Sequence, residues 1–173
     1  MSILPSTASI AALATALLLA GAVHATDVSM AHGSVKFSTP DNWLDIMETQ
    51  GDPEVRVFQV PDPSPTGRSS LARVSVTVKQ VADVNGFNQY MAEATAKALV
   101  LPGYKAAAVV PRPNSETYTA KENGVQFNYI ERYWLKNGQA IQLRCVRPLL
   151  SQAGDAWKNA FDKGCKAIAA QLK

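Results

Sequence analysis

Histidine and cysteine are scarce in this chain, with two of each among 173 residues. Zinc sites typically recruit several His or Cys ligands, so zinc chemistry has little to draw on. His24 falls inside an apolar N-terminal stretch, which leaves His32 as the one candidate base for Ser-His-Asp or Cys-His catalysis. His32 sits close to the expected start of the mature chain, where termini fray. No Gly-x-Ser-x-Gly elbow, P-loop or dinucleotide fingerprint occurs, and the glycines are scattered at turns. Charge of one sign is lacking too. Lys+Arg number 17 against Asp+Glu 14, a net charge of +3, and the basic residues are interleaved with acids. That balance argues against a nucleic-acid partner, which calls for a basic tract or patch. A disordered chain is excluded by 47% hydrophobic and 18% charged residues. The length suits one ordinary globular domain.

Charge is absent altogether from the first 25 residues. Ile10 to Val23 reads IAALATALLLAGAV, and Val23-His24-Ala25 then presents small residues at the positions a signal peptidase inspects. Polar Thr26 and Asp27 follow. The run is short for a membrane span, and no Cys follows it, so a lipoprotein is not expected. The reading is a signal peptide over 1–25 and one exported, periplasmic domain over 26–173, with no stable membrane insertion after cleavage. The alternative is an uncleaved N-terminal anchor.

The mature part shows no repeat and no low-complexity tract. Val35–Phe37 and Trp43–Met47 read as short strands around the turn Thr39-Pro40-Asp41-Asn42, and Val55–Val60 as a third. Leu71–Val81 is a fourth, with Ala72, Val74, Val76 and Val78 on one face and Arg73, Ser75, Thr77 and Lys79 on the other. Such alternation marks a sheet with one face buried and one solvated. Residues 61–70, PDPSPTGRSS, fit a mobile exposed loop. A helix capped by Asp83 or Asn85 follows, with Phe87, Met91, Ala94 and Ala98 on one face and Tyr90 beside it, ending at Leu101-Pro102-Gly103. Tyr104–Val110 is a further strand candidate, Pro111–Asn114 a second irregular loop, and Tyr118–Lys121 leads to a turn at Asn123-Gly124.

Val125–Leu135 and Gln139–Val146 flank Lys136-Asn137-Gly138, and Asn-Gly is the favoured pair for a two-residue hairpin turn. That register sets Leu135 against Ala140, Trp134 near Ile141, Ile130 against Cys145 and Glu131 opposite Arg144. Ala153–Leu172 reads as a helix with Trp157, Phe161, Cys165, Ile168 and Leu172 in one apolar stripe.

Strand alternation places Cys145 with Ile141 and Leu143, and helical spacing places Cys165 between Phe161 and Ile168. Both sulfurs thus point into the contact between the last strand and the last helix. In an oxidising compartment a disulfide is expected there. The alternative is two buried thiols; a redox-active pair would want Cys-x-x-Cys spacing.

Asp41, Asp45, Glu48, Asp52 and Glu54 lie close in sequence. Asp41 and Asp45 are the carboxylate candidates for acid–base work or loose calcium binding, yet EF-hand spacing is missing and a solvated hairpin edge explains the group more simply. Arg132, Arg144 and Arg147 cluster on the last hairpin, where Glu131 neutralises part of the charge. Phe127, Tyr129, Tyr133 and Leu135 share one strand face, with Ile130 and Trp134 on the other. A strand apolar on both faces is either covered on both sides or offers one side for recognition. The recognition reading takes Tyr129 and Tyr133, with Arg68 and Arg112 from the two irregular loops, as partner-binding residues.

The element order, together with Phe37, Pro40, Asn42 and Trp43 in VKFSTPDNW (Val35–Trp43), resembles the PsbP/Mog1/DcrB-like superfamily. The resemblance implies an α+β fold in which an antiparallel β-sheet is flanked by two main helices in an α/β/α sandwich. It implies largely non-enzymatic work without a cofactor: accessory subunits, partner-binding modules and envelope proteins. Some periplasmic immunity proteins that neutralise type VI secretion effectors look like the same fold. The expectation is therefore a non-enzymatic protein that binds a protein partner, most sharply a secreted toxin. The alternatives are an accessory subunit of an envelope assembly and a hydrolase using Asp41, Asp45 or His32.

Overall fold

The strongest local signal in the chain, Asn137-Gly138, forms the turn it favours: both residues have positive φ, 51° and 72°, and Lys136 pairs with Gln139 across them. Two positive φ values in succession make a type I′ turn, whose twist matches that of the flanking strands. A computed structural model describes residues 25–110 and 112–173 of the chain. The expected leader, apart from its last residue, lies outside the described residues.

The hairpin consists of β8 (Val125–Lys136) and β9 (Gln139–Pro148), and Ile130–Cys145, Glu131–Arg144, Trp134–Ile141 and Leu135–Ala140 pair as the turn dictates. Around it the described residues build a seven-stranded antiparallel sheet in the order β3-β4-β5-β9-β8-β7-β6. The remaining members are β3 (Leu44–Thr49), β4 (Glu54–Gln59), β5 (Arg73–Gln80), β6 (Lys105–Ala106) and β7 (Ser115–Glu122). A separate two-stranded hairpin joins β1 (Thr26–Met30) to β2 (Val35–Thr39). The fold class is α+β, as expected.

The central strand β9 is buried on both faces. Ile141, Leu143 and Cys145 point to one side, where α3 (Gly154–Gln171) and the β1–β2 hairpin pack. Val28, Met30, Val35 and Phe37 supply the hairpin's share of that core, and Phe37 meets Phe58 edge-on at 5.9 Å. Trp43 stacks on Phe161, and a Cβ at Gly164 would stand 2.6 Å from the Trp43 ring, so only glycine lets α3 approach this closely. On the opposite side lies α2 (Val84–Leu99), whose Asp83 side chain accepts the N–H groups of Asn85 and Gly86 as the N-cap. Phe87, Ala94 and Ala98 of α2 press onto the β7–β9 part of the sheet.

The two layers are offset. α3 and the β1–β2 hairpin cover β4, β5 and β9, whereas α2 covers β7, β8 and β9. On the α2 side, no helix among the described residues covers the β3–β5 portion, although Tyr90 of α2 reaches its β5 margin, where Lys79 Nζ lies 5.8 Å from the ring centroid. Following the pairing register across the strands, that portion carries Arg73, Ser75, Thr77 and Lys79 of β5, then Val55 and Val57 of β4, then Leu44 and Met47 of β3.

Two local expectations need correction, and one strand was not foreseen. Tyr104–Val110 forms only the two-residue strand β6, because Pro102 and the turn at Gly103 deliver the chain to the edge of β7 for just two pairings. The segment 61–70 is tied down and contains a short helix, α1 (Thr66–Ser69). Asp62 accepts the N–H and hydroxyl of Ser64 and the hydroxyl of Ser151, the Trp157 ring N–H donates to the Pro61 carbonyl at 2.8 Å, and the Gln152 N–H donates to Thr66 Oγ1 at 3.1 Å. Strand β1 had no sequence forecast: Thr26-Asp27-Val28-Ser29-Met30 buries Val28 and Met30 by alternation alone.

Candidate functional site

The expected disulfide is present. Cys145 and Cys165 are bonded with their Cα atoms 6.3 Å apart, inside the α3-side core. It ties the sheet's central strand to the last helix.

Tyr129 and Tyr133 do not form a recognition face. They are 2% and 3% exposed, because α2 lies over β7–β9 and closes the side toward which they point. Of the two readings left open by an apolar face, coverage is the one realised. Tyr118 stacks on Tyr129 at 4.6 Å, and Tyr90 of α2 meets Tyr133 edge-on at 6.3 Å.

Beneath α2 these rings enclose a carboxylate. Glu131 is fully buried. It accepts the Tyr118 hydroxyl at 2.6 Å, Gln142 Nε2 at 2.7 Å, Arg144 Nε at 2.9 Å and the Tyr133 hydroxyl. Tyr90 donates to Gln142 Oε1 at 2.8 Å, extending the network to the helix. Burial, reinforced by Glu131, pushes the Tyr118 and Tyr133 phenols far above their usual range. Burial pushes Tyr90 up to about 12. Next to this network, Glu122 accepts two bonds from Arg73, at 2.6 and 3.0 Å, and one from the Tyr129 hydroxyl. Burial alone would raise the Glu122 carboxyl, but the Arg73 and Tyr129 bonds prevail and hold it below the ordinary carboxylate range. Each oxygen of Glu131 is occupied by donors from the chain itself, and the residue has no exposed surface. This arrangement specifies packing and offers no free acid or base.

The other residues singled out from sequence lie apart. The three hairpin arginines divide between faces: Arg144 pairs with Glu131 under α2, Arg147 forks onto Asp162 of α3 at 2.9 and 3.2 Å, and Arg132 sits on the α3 side opposite Leu143. Arg68 of α1 and Arg112 at the bridge to Ser115 are both exposed, on separate loops. His32 is exposed in the left-handed turn between β1 and β2. Its neighbour Ala31 donates its N–H to Glu54 at 2.7 Å, at the opposite end of β4 from Phe58, the partner of Asp45. Four residues of strand separate those ends by about 13 Å, so His32 and Asp45 do not share a site. Asp41 is exposed in the turn before Trp43. Among the described residues, no group of three or more His, Cys, Asp or Glu is placed to hold a metal ion.

The strand expected over Trp43–Met47 is β3, and the surface feature that sequence reasoning missed is the apolar side it exposes. Every one of its six residues is exposed, and among the described residues its outer side pairs with no strand. Leu44, Ile46 and Met47 are 53%, 45% and 48% exposed. A register shift between Asp45 and Met47 bulges the strand. It puts Leu44 and Met47 on the open α2 side next to Val57, while Asp45 and Glu48 share the α3 side with Arg56, which forms ion pairs with both. The sequence signal for this lies in the acids: a strand with Asp45 and Glu48 among its apolar residues reads as an edge once its neighbours are known.

Neither the family models nor the curated proteins include a match to this chain.

Proposed function

We propose that the chain is an exported, periplasmic protein that works by binding another protein and turns over no substrate. The observation that carries this reading is β3: three large apolar side chains stand about half exposed on one bulged strand whose outer backbone edge is unpaired among the described residues. Contiguous exposed apolar surface of this kind marks interaction sites. Export is supported by the uncharged, apolar start of the chain and by the Cys145–Cys165 disulfide, a cross-link that persists in oxidising compartments. In its sharpest form the reading is an immunity or inhibitor protein that neutralises a secreted effector, in keeping with the PsbP/Mog1/DcrB-like resemblance of Val35–Trp43 and the element order.

Affinity capture of the tagged protein from envelope and secreted fractions, read by mass spectrometry, tests it. Stoichiometric recovery of one lytic enzyme, inhibited when the purified protein is added back, is the expected result. Recovery of a standing envelope complex would replace the inhibitor role with an accessory one. Recovery of nothing beyond an untagged control would overturn the binding reading.

A further inference from the structure

Strand β3 has two unlike sides. Toward α2 it shows Leu44 and Met47, backed by Val57 and Val55 of β4. Toward α3 it shows Asp45 and Glu48, held by the single Arg56 guanidinium, so this strip keeps a net negative charge although the whole chain is net positive. Between the two sides runs a backbone edge of six residues without a neighbour among the described residues. An unpaired edge is a template for another strand, and side chains of alternate residues then decide which strand is accepted.

Charge decides against a second copy of this chain. Antiparallel two-fold pairing of two β3 strands keeps each face of the sheet continuous, so Asp45 and Glu48 of one copy would lie across from the same carboxylates of the other. Like charges directly opposite on neighbouring strands are destabilising, and one arginine per copy leaves the pair of strips net negative.

We propose that β3 accepts an extended segment of a partner protein as an eighth strand, the segment presenting Lys or Arg toward Asp45 and Glu48 and apolar side chains toward Leu44 and Met47. This rests on the protein-binding reading above and names the site and the chemistry of what binds there. Main-chain hydrogen bonds supply affinity, the carboxylates fix which face of the incoming strand points which way, and Met47 and Leu44 close over its apolar side.

The test uses protein purified from cells expressing the full chain, with fluorescence anisotropy of a labelled heptapeptide alternating Lys and Val. Controls are the same peptide with Glu for Lys and one with a central Pro. Binding of the Lys-Val peptide at least tenfold tighter than either control is expected. That preference should fall at least tenfold in Glu48→Lys and in Met47→Ser. Both substitutions lie on the exposed strand, and circular dichroism melts checks that they leave folding intact. Equal binding of the Lys and Glu peptides, or binding unchanged by both substitutions, overturns the proposal. So does sedimentation showing a dimer that Met47→Ser dissociates, since a second copy would then be the occupant. In capture experiments, a partner retained equally by the native chain and both variants overturns strand addition and leaves the protein-binding reading standing; loss of every partner from the native chain overturns both.

Discussion

The α2 side of the sheet is two surfaces in one. Over β7–β9 it holds four tyrosines and a buried carboxylate whose donors are all internal. Over β3–β5 it holds valines, threonine, serine and two cations, with Leu44 and Met47 at its rim and no covering helix among the described residues. In the covered half Glu131 is satisfied by internal donors, and at the seam Arg73 and Lys79 of β5 reach across to Glu122 and the Tyr90 ring, which leaves the β3–β4 rim as the apolar surface without such a cover. Polar chemistry under a helix therefore reports on packing here, and apolar surface without a helix reports on recognition. Residue type alone would have assigned the two the other way round, because tyrosines are common in interfaces and strand leucine and methionine are common in cores.

Removing the buried carboxylate should separate the halves most sharply. Glu131→Ala leaves Arg144 and three further donors without their acceptor, and breaking a buried pair in this way is expected to lower stability by about 3–5 kcal/mol. The exposed counterpart Glu48→Ala, which loses its pair with Arg56 and a long bond from Gln50, should change stability by about 0–1 kcal/mol. Urea unfolding of the two variants measures the contrast, and equal losses would collapse it. On the α3 side, Gly164→Ala drives a methyl into the Trp43 ring and should cost about 1–3 kcal/mol by overpacking, again read by urea unfolding.

Alkaline titration sharpens the comparison without a mutation. Tyr90, Tyr118, Tyr129 and Tyr133 all have phenols raised above 10.0, first of all by burial. The folded chain therefore keeps protons that the unfolded chain gives up. The stability this contributes is complete below pH 10 and declines as pH rises, for Tyr90 through about 12. Ultraviolet absorbance of phenolate should lag behind that of a urea-unfolded sample above pH 10 and catch up in one step when the fold opens. The smallest effect belongs to the open half. Leu44→Ser should leave stability within about 0.5 kcal/mol, with the melting curve as its measure, while weakening partner capture.

Much of this was legible in the chain. Asn137-Gly138 set the β8–β9 register to the residue, and with it the Glu131–Arg144 pair and the position of Cys145. Helical spacing then brought Cys165 to the same place. The clean alternation of β5 announced a face without a cover, and its Arg73, Ser75, Thr77 and Lys79 do line the open half. What the sequence did not carry is neighbourhood. β2 and β3 are separated by one short turn, yet they enter different sheets, a choice made by packing against Phe58 and α3 and not by either strand's residues. Tyr129 and Tyr133 could sit under a helix or under solvent with the same alternation, and only the path of α2 decides. Leu44, Ile46 and Met47 look like core until β3 is found at the margin of the sheet. The prolines of 61–70 suggested freedom, while Asp62, Trp157 and Thr66 hold that segment through bonds to residues some ninety positions distant, which no local pattern encodes.

The Cys145–Cys165 bond also decides how the molecule answers a mechanical pull. Lys173 lies just beyond α3, and a load applied there reaches the cross-link after less than three helical turns. From Cys165 the tension passes straight into the middle of β9, which β5 and β8 grip along its length. With the bond reduced, the same pull would unzip α3 turn by turn, stripping Ile168 and then Phe161 from the sheet. With it closed, the part of α3 on the far side of Cys165, Phe161 included, is shielded, and it can be drawn off only by shearing the best-anchored strand of the fold.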